Sequence, residues 1–335
     1  GSYPAPPSPA GSDPTHPSPA GSDPTHPGPP GSDPTRPRQA DPDPPDPHPA
    51  HPAADAGADA RASAVVEERL TGRELSLLAL CDGETAWPLS PARDYKRIFD
   101  GDRGPNTGGM GAYSPVTELR SEGEWDLAQV VHEPIVKLMH RRGTPYHGVL
   151  YAGLILTAEG PRVLEYNVRF GDPEAQALLP RLESDLLDLL LCASRSAGLL
   201  NRRDESDEAR FPRWSEQWAV TVTLASAGYP ASSSSGDPIT GLERVPDDVE
   251  VTHAGTARRD GEIVTAGGRV LNVTALGENA EAARESAYAA ARMISFEGKQ
   301  MRGDVAAQVE AEPDLPQLED WLREWYGLEP EVERG

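Results

Sequence analysis

Proline is spread so unevenly along this 335-residue chain that it decides which part can fold. Residues 1–60 hold 19 of the 35 prolines, almost no aliphatic side chains, and eight Asp against two Arg, Arg36 and Arg38. Proline fixes φ and removes an amide donor, so helix and sheet are both blocked. Without an apolar face, such a segment cannot offset the entropy of ordering itself. An imperfect ten-residue repeat, Gly-Ser-x-Pro starting at Gly1, Gly11, Gly21 and Gly31, predicts polyproline II or coil over residues 1–63. The segment would be an inert tail, or else a spacer or docking segment for a proline-binding partner. His16, His26, His48 and His51 do not have the spacing of a folded metal site.

The foldable protein is therefore residues 64 to about 330. Formal charge is −23, and most of it falls on this part. A surface so acidic argues against nucleic-acid or anionic-membrane binding, which needs a basic face. Local Arg and Lys can still line a pocket for an anionic substrate. Cys81 and Cys192 have neither ligand nor disulfide spacing, which suits a reducing compartment. No signal-like segment and no apolar run near 18 residues is present, so a cytoplasmic protein is expected. Nothing in the sequence sets an oligomeric state.

Val65–Glu68 reads as a short strand, and Glu74–Leu80 as a buried one turning at Asp82-Gly83. A glycine-rich loop is expected at 100–111. Apolar positions from Trp125 to Met139 recur at helical spacing, with a kink due at Pro134. Gly148–Thr157 and Arg162–Arg169 predict two strands. Asp172 is expected to cap a helix with Pro173 in its first turn, and a second helix to cover 185–200. Residues 201–216 are charged and read as a linker. Beyond it Trp218–Ser226, Val249–His253, Glu262–Thr265 and Arg269–Ala275 predict strands, with turns at Gly236-Asp237, Asp260-Gly261 and Gly267-Gly268. Asn279 would cap a last helix running to about Ile294.

Two stretches carry chemistry. In Leu164-Glu165-Tyr166-Asn167-Val168-Arg169, strand alternation would turn Glu165, Asn167 and Arg169 to one face. A carboxylate and a carboxamide two residues apart can ligate a hard cation, and the guanidinium can meet a phosphate bridged to it. The same pattern also fits an edge strand with its polar face in water. The second stretch runs from Asp94-Tyr95-Lys96-Arg97 to Gly111, with five glycines among residues 101–111. Glycine permits close backbone approach and can present amides to an anion, although a ligand-free surface loop has the same composition. The pattern is neither a P-loop nor the spaced dinucleotide fingerprint.

The run Asp-Tyr-Lys-Arg-Ile-Phe-Asp-Gly-Asp-Arg-Gly-Pro-Asn-Thr-Gly-Gly-Met-Gly-Ala-Tyr-Ser-Pro at 94–115 resembles the hallmark of phosphoribosylamine–glycine ligases. Leu-Tyr-Ala-Gly-Leu at 150–154, Glu-Tyr-Asn-Val-Arg-Phe-Gly-Asp-Pro-Glu at 165–174, His-Ala-Gly-Thr at 253–256 and Gly-Gly-Arg-Val-Leu-Asn-Val-Thr-Ala at 267–275 follow in the family's order. The resemblance covers about residues 64–305. It implies an α/β fold: the C-terminal half of an ATP-grasp domain at 64–205 and a small β-rich domain at 206–305, with an acidic tail left over at 306–335. It implies ATP-dependent joining of glycine to 5-phosphoribosylamine in purine biosynthesis, with Mg²⁺ or Mn²⁺. Carried over by motif, Glu165 and Asn167 would be metal ligands and Arg169 would hold phosphate oxygens. Glu67, Glu68 and Leu70 would meet adenine, and Glu74 the ribose. Lys96, Arg97, Asn106, Thr107, Gly108 and Gly109, with Asp94, would line the acceptor site.

Family members also begin with a glycine-rich domain and carry a lysine-bearing lid, and neither pattern occurs in these residues. With Gly1 rather than Met at its start, the chain is expected to be a fragment or fusion product. The alternatives are a catalytically inactive remnant or binding module of the same fold, another ATP-grasp enzyme such as a purine carboxylase or formyltransferase, and a scaffold acting through the proline head.

Overall fold

The computed structural model describes residues 67–117, 119, 121–201, 211–307 and 309. The expected disorder of 1–63, and nearly all of the 306–335 tail, lie outside the described residues.

The apolar run at 75–81 becomes β1 (Gly72–Asp82), buried from Leu75 onward. Its turn is set by Asp82, whose Oδ1 accepts from the Thr85 amide at 2.8 Å and the Glu84 amide at 3.1 Å. β2 (Ala86–Pro88) returns antiparallel. On its other side β1 pairs along its whole length with β7 (His147–Thr157), from Gly72 opposite Thr157 to Asp82 opposite His147. β8 (Gly160–Asn167) closes the edge, giving the order β2-β1-β7-β8. The strand expected at Val65–Glu68 is not found in its described half: Glu67–Thr71 have no regular structure. These residues lack an apolar face to pair or bury.

Pro134 breaks the predicted long helix into α1 (Ser121–Val131) and α2 (Glu133–Arg141), since its ring cannot continue the ladder. Leu127, Ala128 and Val131 pack on Leu75, Leu77 and Leu154, and Val136 on Ala79, Cys81 and Leu150. The opposite sheet face is covered by α3 (Glu174–Leu178) and α4 (Leu186–Ala193), with α5 (Gly198–Asn201) beside them. Leu178, Leu189 and Ala193 meet Leu78, Leu80, Trp87 and Val149 there.

A second sheet has the order β11-β14-β9-β6-β3. It is built from β3 (Arg93–Asp94), β6 (Gly111–Ser114), β9 (Trp218–Ala225), β11 (Val249–His253) and β14 (Arg269–Gly277). Strands from both sides of the 201–216 stretch therefore share one sheet, and Gly111 lies opposite Val222. α6 (Ala280–Met293), capped by Asn279 through the Ala282 amide at 2.8 Å, lays Ala283, Ala287, Ala290 and Ala291 on this sheet. A third sheet joins β10 (Ser235–Pro238), β13 (Glu262–Ala266) and β12 (Thr256–Arg259). Gly236-Asp237, expected as a turn, lies inside β10. β12 gave no signal because it is largely exposed and carries no alternation of apolar residues. Within the glycine-rich stretch β4 (Arg97–Phe99) pairs with β5 (Arg103–Asn106), a hairpin rather than a plain loop. Positive φ at Gly101, Asp102 and Gly104 makes that turn possible.

Candidate nucleotide and acceptor site

Register brings the polar residues of three strands to one sheet face. Ser76 lies opposite Gly153, which lies opposite Glu165; Leu78, Tyr151 and Asn167 form the next row. Asn167 Nδ2 donates to Glu165 Oε1 at 3.1 Å, so the two side chains project together as alternation predicted. A Cβ on Gly153 would stand 3.3 Å from the Glu165 side chain, so glycine there leaves Glu165 its space. Arg169 departs from the expectation. It lies beyond the end of β8, where alternation no longer sets direction, and its Nη1 donates to the Phe170 carbonyl at 2.8 Å. Upstream, a bulge at Leu164 breaks the alternation as well, since Gly153 faces Glu165 and Leu154 faces Val163. Tyr166 points to the face covered by α1, its hydroxyl donating to the Val131 carbonyl at 2.6 Å.

The Glu165 and Asn167 oxygens suit a hard cation. No group of three or more His, Cys, Asp or Glu able to hold a metal occurs among the described residues. Mg²⁺ commonly takes only one or two protein oxygens and completes its shell with water and phosphate, so this sparse donor set fits it.

Facing that strand, Lys96 Nζ pairs with Glu74 Oε2 at 2.7 Å. Burial works against the Lys96 charge, but Asp94, Glu74 and Glu165 together hold its pKa above the ordinary value. Asp94, buried in β3, is pushed up to about 7 by burial and then by Glu174, with Lys96 opposing. Glu174, 3% exposed, accepts from the Tyr151 hydroxyl at 2.6 Å and from Ser76 Oγ at 3.1 Å. Burial, and then Glu174, raise the Tyr151 pKa. Sequence reasoning assigned no role to Glu174, Tyr151 or Ser76. Glu174 belonged to a quoted motif, but only the fold reveals that Ser76 and Tyr151 reach it.

The glycine loop is fastened at several points. Thr107 donates to the Lys96 carbonyl through both its amide and Oγ1, each at 2.7 Å, and accepts from the Gly109 amide at 3.0 Å. The Gly108 amide donates to the Tyr229 hydroxyl at 2.9 Å. Gly109 has φ +115°, and a Cβ there would overlap the Pro173 ring. Arg97 turns onto its own hairpin, donating to the Gly104 carbonyl at 2.6 Å, and exposed Asn106 pairs opposite it. Arg269 Nη1 reaches the Gly108 carbonyl at 2.7 Å, the Asp172 carbonyl, and Asp172 Oδ1 at 3.4 Å. Asp172 is thus no helix cap. Pro173 occupies the cap position without a side-chain bond, and Asp172 Oδ1 accepts instead from Gln176 at 3.2 Å and Asn272 at 3.3 Å. Glu67 and Glu68 are exposed and Leu70 half-buried, in an irregular lead-in to β1.

An antiparallel sheet with an acidic–amide pair on its edge strand, facing a lysine–glutamate pair and a glycine loop, has the character of an ATP-grasp protein. The model "Phosphoribosylglycinamide synthetase, ATP-grasp (A) domain" matches residues 53–175, and "Phosphoribosylglycinamide synthetase, C domain" matches residues 219–308. The chain belongs to the phosphoribosylglycinamide synthetase (phosphoribosylamine–glycine ligase) family. Phosphoribosylamine–glycine ligase of Streptomyces coelicolor is 48% identical over 260 residues, 76% of this chain and 61% of that protein. The trifunctional purine biosynthetic protein adenosine-3 of Gallus gallus is 46% identical over 72% of this chain and 23% of its own length. Among solved structures, phosphoribosylamine–glycine ligase of Thermotoga maritima superposes with a TM-score of 0.61 at 39% identity, covering 71% of this chain and 56% of that one. The chain thus spans about three-fifths of the length of the Streptomyces relative. No helix among the described residues is long and apolar enough to cross a membrane.

Proposed function

We propose that this chain carries the metal-bearing strand and the acceptor loop of an ATP-dependent ligase that joins glycine to 5-phosphoribosylamine. The observation that supports it best is the Glu165–Asn167 pair standing on the same sheet face as the Glu74–Lys96 ion pair. Residues 64–205 would form the ATP-grasp portion and 206–305 the C domain, the two sharing the second sheet.

In this reading Glu165 and Asn167 hold Mg²⁺ or Mn²⁺, and Arg169 swings from the Phe170 carbonyl to the triphosphate. The metal, when bound, neutralises phosphate oxygens. Glu67, Glu68 and Leu70 contact adenine, and Glu74 contacts the ribose while keeping Lys96 in place. Glycine's carboxylate attacks the γ-phosphorus and ADP leaves. The phosphoribosylamine nitrogen then attacks the acyl carbon, phosphate departs, and the nitrogen gives up a proton. Lys96, Arg97, Asn106, Thr107, Gly108 and Gly109 position glycine and the sugar phosphate. This chemistry depends on in-line placement and charge neutralisation rather than on a protein nucleophile.

The test is calorimetric titration with Mg·ATP and with glycinamide ribonucleotide, together with ADP release from fresh phosphoribosylamine and glycine. Both ligands are expected to bind. ADP release coupled to glycinamide ribonucleotide formation is compared with the ordinary enzyme range of ~1–10³ per second. Failure of both ligands to bind at millimolar concentration would refute the assignment.

A further inference from the structure

Five glycines among residues 101–111 leave the loop little means of fixing its own shape, because glycine loses the most backbone freedom on ordering. Beyond the bonds of its own hairpin it needs outside anchors, and the densest of them comes from some 200 residues downstream. Arg302 is 1% exposed and uses its whole guanidinium fork. Nε and Nη2 meet the two carboxylate oxygens of Asp304, each at 2.6 Å. Nη1 donates to Asp102 Oδ1 at 2.8 Å and to the Arg97 carbonyl at 3.1 Å. The cation lies 4.7 Å from the centre of the Tyr95 ring. Around it the Gly303 amide donates to Asp100 Oδ1 at 2.7 Å, the Gly101 amide to Asp304 Oδ2 at 2.8 Å, and the Ala306 amide to the Tyr95 hydroxyl at 2.9 Å.

The anchor is itself anchored. The Tyr288 hydroxyl donates to the Arg302 carbonyl at 2.8 Å, and Arg284 donates to the carbonyls of Gly303 at 2.6 Å and Val305 at 3.0 Å. Both residues stand on α6, so the strap at 302–306 is fastened to a helix and the hairpin is fastened to the strap. The fork takes hold of Arg97, next to Lys96, and the Lys96 carbonyl is the one that receives both Thr107 donors. None of these bonds reaches β8, and the Lys96 side chain is held separately, by Glu74 at 2.7 Å.

We propose that Arg302 is a positioning residue for the acceptor site: by gripping the Arg97 carbonyl and Asp102 it sets the loop backbone from which Arg97 and Thr107 project, while the Lys96 side chain is held by Glu74. This rests on the loop being the acceptor site, as read above. A bidentate charged fork of this kind gives direction as well as strength, and a lysine in its place could make only part of the contact.

The experiment titrates glycinamide ribonucleotide and Mg·ATP separately into the full chain and its variants, with amide exchange followed over residues 97–107. Arg302→Met is expected to bind glycinamide ribonucleotide about tenfold more weakly, to bind Mg·ATP as the parent does, and to exchange faster at 97–107 but not in β7. Arg302→Lys should fall between the two. Should Arg302→Met not fold, Asp102→Asn serves. Asp102 is largely exposed and has φ +51°, which asparagine tolerates, and the change weakens the loop side of the grip alone. It should weaken the ribonucleotide several-fold and leave Mg·ATP unchanged. Unaltered ribonucleotide affinity in Asp102→Asn and Arg302→Lys would overturn the inference. So would equal loss of both ligands, which marks general destabilisation. A parent that binds Mg·ATP but no glycinamide ribonucleotide would overturn the acceptor reading of the loop, and the positioning role with it.

Discussion

Replacing Asp94 with asparagine should change how stability depends on pH, and the structure sets the size of the change. Asp94 is 8% exposed, with Glu174, Glu74 and Lys96 around it, and burial followed by Glu174 holds its carboxyl at about 7. In an unfolded chain an aspartate titrates near 3.9. The folded state therefore binds the proton more tightly than the unfolded state. The stability this confers is complete below the unfolded value and is lost as pH rises through the folded one. At 1.36 kcal/mol per unit, a gap of about 3 units is worth roughly 4 kcal/mol in full, of which about 2–3 kcal/mol disappears between pH 5 and pH 8. Asparagine keeps the shape without the titration. Urea unfolding followed by tryptophan fluorescence at pH 5, 6.5 and 8 measures both chains. The parent's stability relative to Asp94→Asn is expected to fall by about 2–3 kcal/mol across that range. A difference constant to within about 0.5 kcal/mol would show that Asp94 is ionised throughout, and the account of the buried carboxylates would fail.

Glu165→Gln should weaken metal-dependent nucleotide binding by ~1–3 kcal/mol, read by calorimetry with Mg·ATP. No change in a parent that binds measurably excludes Glu165 as a ligand. Tyr151→Phe removes the 2.6 Å bond to buried Glu174 and should cost about 1–3 kcal/mol in denaturant unfolding; neutrality would mean Glu174 finds another donor. Gly109→Ala should destabilise by more than about 1 kcal/mol, from the φ of +115° and the overlap with Pro173. Unchanged stability in this variant would show that the loop can leave Pro173 freely.

Local pattern carried much of this fold into the sequence. β1, β7, β9 and β14 are long and apolar, and Asn279 caps α6 as its position suggested. The Glu165–Asn167 pairing followed from strand alternation, and the family from the motif at 94–115. What was hidden depends on distance along the chain. Asp172 looked like a cap because Pro173 follows it, yet its partners Arg269 and Asn272 lie about a hundred residues away. Ser76, Tyr151 and Glu174 are unremarkable singly and become a network only when β1 and β7 pair. Arg302 is one arginine in an irregular segment with no motif around it, and only the hairpin it grips gives it meaning.

The second sheet also constrains how the chain must be made. β6 lies between β3 and β9, and Gly111 meets Val222. At a synthesis rate of roughly 5–20 residues per second, β6 waits about 5–20 s after leaving the ribosome before its partner strand exists. In that interval an apolar strand next to the glycine loop has an open edge. The head-first part of the sheet cannot finish folding ahead of the rest, so its completion waits for β9 and β14 to emerge.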